Sequence, residues 1–165
     1  MNSKSKNGRG STSDQRDIRP RDAGFEEAVR KGLANAAQDI SHGRLARADA
    51  ICARILEYVP HQHEAWRLRG LIACQSHKLD LAADYLTRSL AAEPDNAQAH
   101  CDLGMVYHAM GRHDQALDEL AEAVRRAPAL AVAYFHLGNV HSARGSFDKA
   151  AEAYRLALQY RPDLD

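Results

Sequence analysis

Three cysteines with no close pair, Cys52, Cys74 and Cys101, leave nothing from which to build a disulfide framework or a CxxC metal or redox site. All three fall within apolar helical patterns, where a thiol behaves as a small hydrophobe. Aromatic residues are only 6% of the chain, and no run approaches the roughly 18 uninterrupted apolar residues of a membrane span. Charge of one sign is also missing. The 22 basic and 22 acidic residues cancel, so no overall field draws the chain to nucleic acid or to an anionic membrane. The first residues lack the apolar segment of a secretory signal, which makes the cytoplasm the expected address. No phosphate-binding loop, dinucleotide glycine pattern or nucleophile elbow occurs.

What the chain does have is helical texture. Residues 1–24 are rich in Ser, Gly, Asn, Asp and Arg, with Ile18 the only large aliphatic after Met1, and read as a mildly basic, disordered tail. From Phe25 onward the composition turns to Ala and Leu at three- and four-residue steps. That pattern repeats: Pro60, Pro94, Pro128 and Pro162 stand 34 residues apart, as do Gly70, Gly104 and Gly138 and the series Ala48, Ala82, Ala116, Ala150. Four units run 29–62, 63–96, 97–130 and 131–164, within a repeat domain spanning 25–164. Counting each unit from 1, position 4 carries a ring in the last three (Trp66, His100, Tyr134), and position 24 carries Leu86, Leu120 and Tyr154, with Cys52 the weaker first member.

The third unit reads His100-x-x-Leu103-Gly104-x-x-Tyr107, then Ala116-x-x-x-Leu120 and Pro128. This resembles the tetratricopeptide pattern of aromatic-x-x-Leu-Gly-x-x-Tyr, Ala-x-x-x-Phe and Pro. The fourth unit matches through Tyr134, Leu137, Gly138, Ala150, Tyr154 and Pro162. The second keeps Trp66, Gly70, Ala82 and Pro94 but has Arg69 where Leu is usual, and the first has Gly32, Asn35 and Ala36 in the signature positions. The resemblance implies an all-α fold, a right-handed solenoid of four helix-turn-helix repeats and about eight helices, in which each unit buries its apolar stripe only by stacking on the next. Gly43, Gly111 and Gly145 sit at the turn within a unit, where positive φ is needed. The second unit has His77 there, and a looser or differently shaped turn is expected.

In such arrays the first helices line a concave groove. Carried over, the resemblance places Arg67, Leu71, Gln98, Asp102, Met105, His108, Phe135, His136 and Asn139 along it, a mixed apolar and polar lining suited to an extended or helical peptide of modest charge. The Lys and Asn pattern that clamps the acidic tails of heat-shock chaperones is absent, because the corresponding positions hold Leu33, Ala37, Leu68, Gln98 and Asp102. The expected partner is therefore a protein or peptide, with no nucleic acid, membrane or cofactor.

Nine histidines raise the question of a metal, yet His100 and His141 stand in usually aromatic positions and the His61-Gln62-His63 run has no third ligand at useful spacing. No metal site is expected. His108 and His136 in the groove would make binding sensitive to mild acid. Every residue from 29 to 164 has a place in a repeat, so a catalytic site is not expected either. The last unit lacks a polar capping helix, which predicts partial exposure of Ala153, Leu156, Ala157 and Tyr160, and with it either a longer parent protein or self-association through that end. The regular units are similar in style to the N-terminal repeats of bacterial O-linked N-acetylglucosaminyltransferase-like proteins and repeat-bearing sulfotransferases, which would make the chain a substrate-binding arm. Against that link, position 6 holds Leu68, Asp102 and His136 in place of a steady Asn.

Overall fold

In the computed structural model, residues 23–162 are described, and the tail expected at 1–24 lies outside them except for its last two residues. Ala23 and Gly24 are the first residues of a helix. Eight helices follow one another among the described residues: α1 (Ala23–Ser41), α2 (Leu45–Tyr58), α3 (His63–Gln75), α4 (Leu79–Ala92), α5 (Ala97–Ala109), α6 (His113–Arg126), α7 (Ala131–Ala143) and α8 (Phe147–Tyr160). They pair as antiparallel hairpins, and successive hairpins stack into an all-α solenoid. The starts of α3, α5 and α7 are 34 residues apart, as are those of α2, α4, α6 and α8.

Local chemistry sets the helix ends. Gln62 and Asn96 cap α3 and α5, their side-chain carbonyls accepting the backbone N–H of Glu64 (2.9 Å) and Ala99 (3.0 Å). Each second helix stops two residues before a proline, because the residue ahead of proline is driven out of the helical region. Within each unit the turn closes with the same pair of bonds. In the first, Gly43 N–H donates to Ile40 O (2.9 Å) and Arg44 N–H to Asp39 O (2.8 Å). The second does not have the looser turn expected of it. His77 adopts φ +57, alongside +72 to +73 at Gly43, Gly111 and Gly145, and makes the same bonds to Cys74 O (2.9 Å) and, through Lys78, to Ala73 O (2.9 Å). The stacked helices on either side dictate the turn, and the histidine accepts a left-handed backbone that costs about 1–2 kcal/mol.

Small residues let paired helices close. Ala48, Ala82 and Ala116 are fully buried, and Leu86 and Leu120 lie directly over Gly70 and Gly104. A Cβ on Gly104 would stand 2.6 Å from Leu120 Cγ, and one on Gly138 would stand 2.4 Å from the Tyr154 ring. The rings at position 4 of units two and three tie each to its predecessor: Trp66 Nε1–H donates to Pro60 O (2.9 Å), and the His100 ring bridges Pro94 O (3.0 Å) and the Glu119 carboxylate (2.7 Å). Arg69, the departure from Leu, stacks over Tyr85 with its guanidinium carbon 4.5 Å from the ring centre and donates to Asp49 of the preceding unit (2.7 Å).

Consecutive first helices touch (α1 with α3, α3 with α5, α5 with α7), whereas the second helices make no contact with one another among the described residues. The row of first helices is therefore the inner, tighter side of the curve. At the far end the expected exposure holds only in part. Ala153 and Ala157 are buried and Leu156 is half-buried, while Tyr160 is exposed together with Phe147 and Leu158.

Candidate functional site

The inner face is built by α3, α5 and α7, and its chemistry changes along its length. At the α3 to α5 junction Arg67 is the hub. Its Nε–H donates to Glu64 (2.9 Å) on the same helix, and its Nη1–H donates to Asp102 (2.6 Å), 35 residues along the chain. Gln98 Nε2–H donates to the second Asp102 oxygen (3.0 Å). The Arg67 and Asp102 side chains are only 15% and 9% exposed. Burial pushes the Asp102 carboxyl above the usual carboxylate range, and the Arg67 charge with the hydrogen bonds from Arg67 and Gln98 pulls it back. Burial alone would lower the Arg67 guanidinium, but Glu64 and Asp102 outweigh it and hold it charged. Two residues expected to present opposite charges to a ligand therefore satisfy each other. Asp102 in particular is floor, not lining.

Beyond this junction apolar and polar side chains alternate. Leu71 on α3 and Met105 on α5 are half-buried. Ile40 and Leu68 are buried in one core cluster and Cys101 in another. On α7, Phe135 is half-buried, 5.8 Å from the Tyr154 ring and 5.7 Å from His136. Tyr154 reaches over Gly138 and donates its hydroxyl proton to Asn139 Oδ1 (2.8 Å). With its oxygen so engaged, the Asn139 amide is fixed and its N–H₂ remains to donate. The sequence marks Tyr154 only as the position-24 member of its unit; tyrosine in place of the leucine of units two and three was the available signal.

The structure also brings together histidines that the sequence scatters. His108 Nδ1 lies 3.3 Å from His113 Nδ1, with ring centres 5.3 Å apart. His136 joins them from α7: burial first, and then His108, hold its imidazole below the ordinary histidine range. His108 is lowered in the same way by burial and then by His113. Among the described residues no group of three histidine, cysteine or carboxylate side chains is arranged to hold a metal ion. Burial pushes the Cys52 and Cys101 thiols up to about 12, which keeps them protonated and unreactive. No helix of the described residues is long and apolar enough to cross a membrane.

Comparison with known proteins agrees with this architecture. No curated protein matches the sequence. Among solved structures, PilF of Pseudomonas aeruginosa superposes with a TM-score of 0.80 at 20% identity, over 86% of this chain and 64% of that one. TTC0263, a tetratricopeptide protein of Thermus thermophilus, gives 0.75 at 23% identity over 81% and 75%. An O-GlcNAc transferase of Thermobaculum terrenum gives 0.69 at 26% identity, over 77% of this chain and 26% of the transferase. Sequence profiles of the tetratricopeptide repeat match residues 32–97 and 95–163. Since those two matches are contiguous and take in every repeat of the array, the chain belongs to the tetratricopeptide-repeat family.

Proposed function

We propose that this chain is a non-catalytic scaffold that holds a segment of a partner protein along the row of first helices. The observation that carries the reading is the internal pairing of the arginine in that row. Arg67 is consumed by Glu64 and Asp102, which leaves Leu71, Met105 and Phe135 as apolar contacts beside half-buried His108 and His136, and Asn139 as a fixed donor. Such a face favours a peptide of low charge, whose apolar side chains sit on Leu71 and Met105 and whose backbone carbonyl meets the Asn139 amide. On α3 both arginines are paired, and α5 and α7 carry no lysine or arginine, so an acidic tail finds no unpaired one along those three helices.

A second reading, that the array is the substrate-binding arm of a longer transferase, is favoured by the likeness to the O-GlcNAc transferase, of which the matched region spans about a quarter. Position 6 holds Ala34, Leu68, Asp102 and His136, of which Leu68 and Asp102 are buried, so an open ladder of polar groups does not run along the groove. That observation leaves the scaffold reading ahead.

A photo-crosslinking scan tests the proposal. A benzophenone side chain is placed at Leu71 or Met105 on the inner row, and at Thr87 or Asp118 on exposed positions of second helices. Crosslinks to a common protein from the inner positions only are expected; capture of that protein from Thr87 or Asp118 instead would refute the groove assignment.

A further inference from the structure

Inside the array, positions 17, 21 and 28 of each second helix are covered by the next unit. Position 17 holds half-buried Leu45 and Leu79, and position 28 holds Leu56, only 8% exposed, with Leu90 and Val124 half-buried. They share cores with the following first helix: Leu45 and Leu56 pack with Leu68 and Ile72, and Leu117 and Val124 with Leu137 and Val140. In α8 the same positions hold Phe147, Ala151 and Leu158, and here Phe147 is 70% and Leu158 51% exposed.

The other edge of the solenoid is not made to cover them. Positions 7 and 10 of a first helix supply the covering apolar groups, such as Leu103 and Val106 or Leu137 and Val140, but in α1 these positions are Asn35 and Gln38, both exposed. Stacking α1 of one molecule on α8 of another would bury two amides against Phe147 and Leu158 without hydrogen-bond partners, a cost no regular joint in the array carries. A second α8 fits better. Phe147, Ala151 and Leu158 form one stripe along the helix, and two such stripes run antiparallel about a two-fold axis near Ala151 set Phe147 of each copy against Leu158 of the other. The small side chain at the crossing allows close approach. Asp148 and Arg155 lie two turns apart on one flank of this stripe, both exposed and neither paired within the described residues. The same two-fold brings Asp148 of each copy to Arg155 of the other, so the charges are self-complementary as well as the apolar surface.

We infer that the exposed face of α8 is a self-recognition surface, through which two copies of this chain form a closed antiparallel dimer with Phe147 and Leu158 at its centre and reciprocal Asp148 to Arg155 ion pairs at its flank. The inference is independent of the groove assignment. It is tested by sedimentation velocity of the 165-residue chain over about 1–100 µM. Mass rising to two chains and no further is expected. Phe147→Glu and Leu158→Glu should each hold the chain as a monomer and, at about 1 µM where the parent is also monomeric, leave its thermal midpoint unchanged, because both sites are exposed in the single molecule. Asp148→Arg or Arg155→Asp alone should weaken the dimer roughly tenfold, and the two together should restore it. A monomer at every concentration overturns the inference, as does a mass that keeps climbing past two, a dimer indifferent to Phe147→Glu, or a charge reversal that its complement does not rescue.

Discussion

Adding a single methyl group at two glycines should have effects of opposite sign. Gly32 and Gly138 occur in equivalent first helices, and both replacements by alanine gain about 1 kcal/mol of helix propensity. The surroundings then separate them. A Cβ at Gly32 meets the terminal Cδ1 of Ile55 at 3.2 Å, a flexible end with a rotamer to spare, so Gly32→Ala should stabilise the chain by a few tenths to about 1 kcal/mol. At Gly138 the new atom stands 2.4, 2.5 and 2.8 Å from three atoms of the Tyr154 ring. That ring is flat and held by its hydrogen bond to Asn139, so it can only tilt as a body. Overpacking of this kind costs about 1–3 kcal/mol, and the lost hydrogen bond adds about 1. Net of propensity, Gly138→Ala should lose about 1–3 kcal/mol, a fall in thermal midpoint of about 2–4 °C per kcal/mol for a chain of this size. Urea unfolding followed by circular dichroism reads both variants. If Gly138→Ala proved as stable as the parent, the close seating of Tyr154 on the α7 backbone would be wrong.

Other substitutions probe the remaining features. Arg67→Met strands the buried Asp102 carboxylate and should cost about 3–5 kcal/mol, whereas Arg67→Met with Asp102→Leu should recover most of the loss; equal instability of single and double variants in urea would contradict the pairing. His77→Gly relieves the left-handed backbone and should stabilise the chain by about 0.5–1 kcal/mol, with a lowered midpoint as the contrary result. His108, His136 and His141 are all held below the ordinary histidine range, burial being the first cause in each. The unfolded chain therefore takes up protons that the folded one resists. Stability is fully present above the unfolded value of about 6.5 and declines as pH falls through it toward the folded values, so the urea midpoint should be lower at about pH 5.5 than at about pH 7.5. A midpoint independent of pH would place these rings in water. Protonation of His108 and His136 would also add charge to the groove, so a partner peptide of low charge should bind more weakly over the same range in titration calorimetry.

The fold was legible because its constraints are local and recurrent. Gly70 and Gly104 are glycine because Leu86 and Leu120 lie on them, and Pro60 and Pro94 end helices of equal length; each cause acts at one position and returns 34 residues later. Unit one shows the limit of that logic: with Gly32 in the ring position it matches poorly as sequence, yet α1 and α2 close as the other hairpins do, with Ile51 and Ile55 filling the gap. The groove was legible as a set of positions but not as a surface. Asp102 read as an exposed acid, whereas a guanidinium 35 residues away both buries and balances it. His77 read as a misfit that would loosen its turn, but the neighbouring helices impose the turn regardless of the residue that fills it. At Asp102 the deciding partner is distant in sequence; at His77 it is the packing of the two flanking helices, which no single residue of the turn reveals.

Amide hydrogen exchange, recorded with and without the partner segment that the crosslinking scan identifies, bears most directly on the central claim. The account predicts added protection along α3, α5 and α7 at the backbone flanking Leu71, Met105 and Asn139, with α4 and α6 unchanged. Protection concentrated on α4 and α6 would mean that the partner binds the outer row, and the groove account would fail.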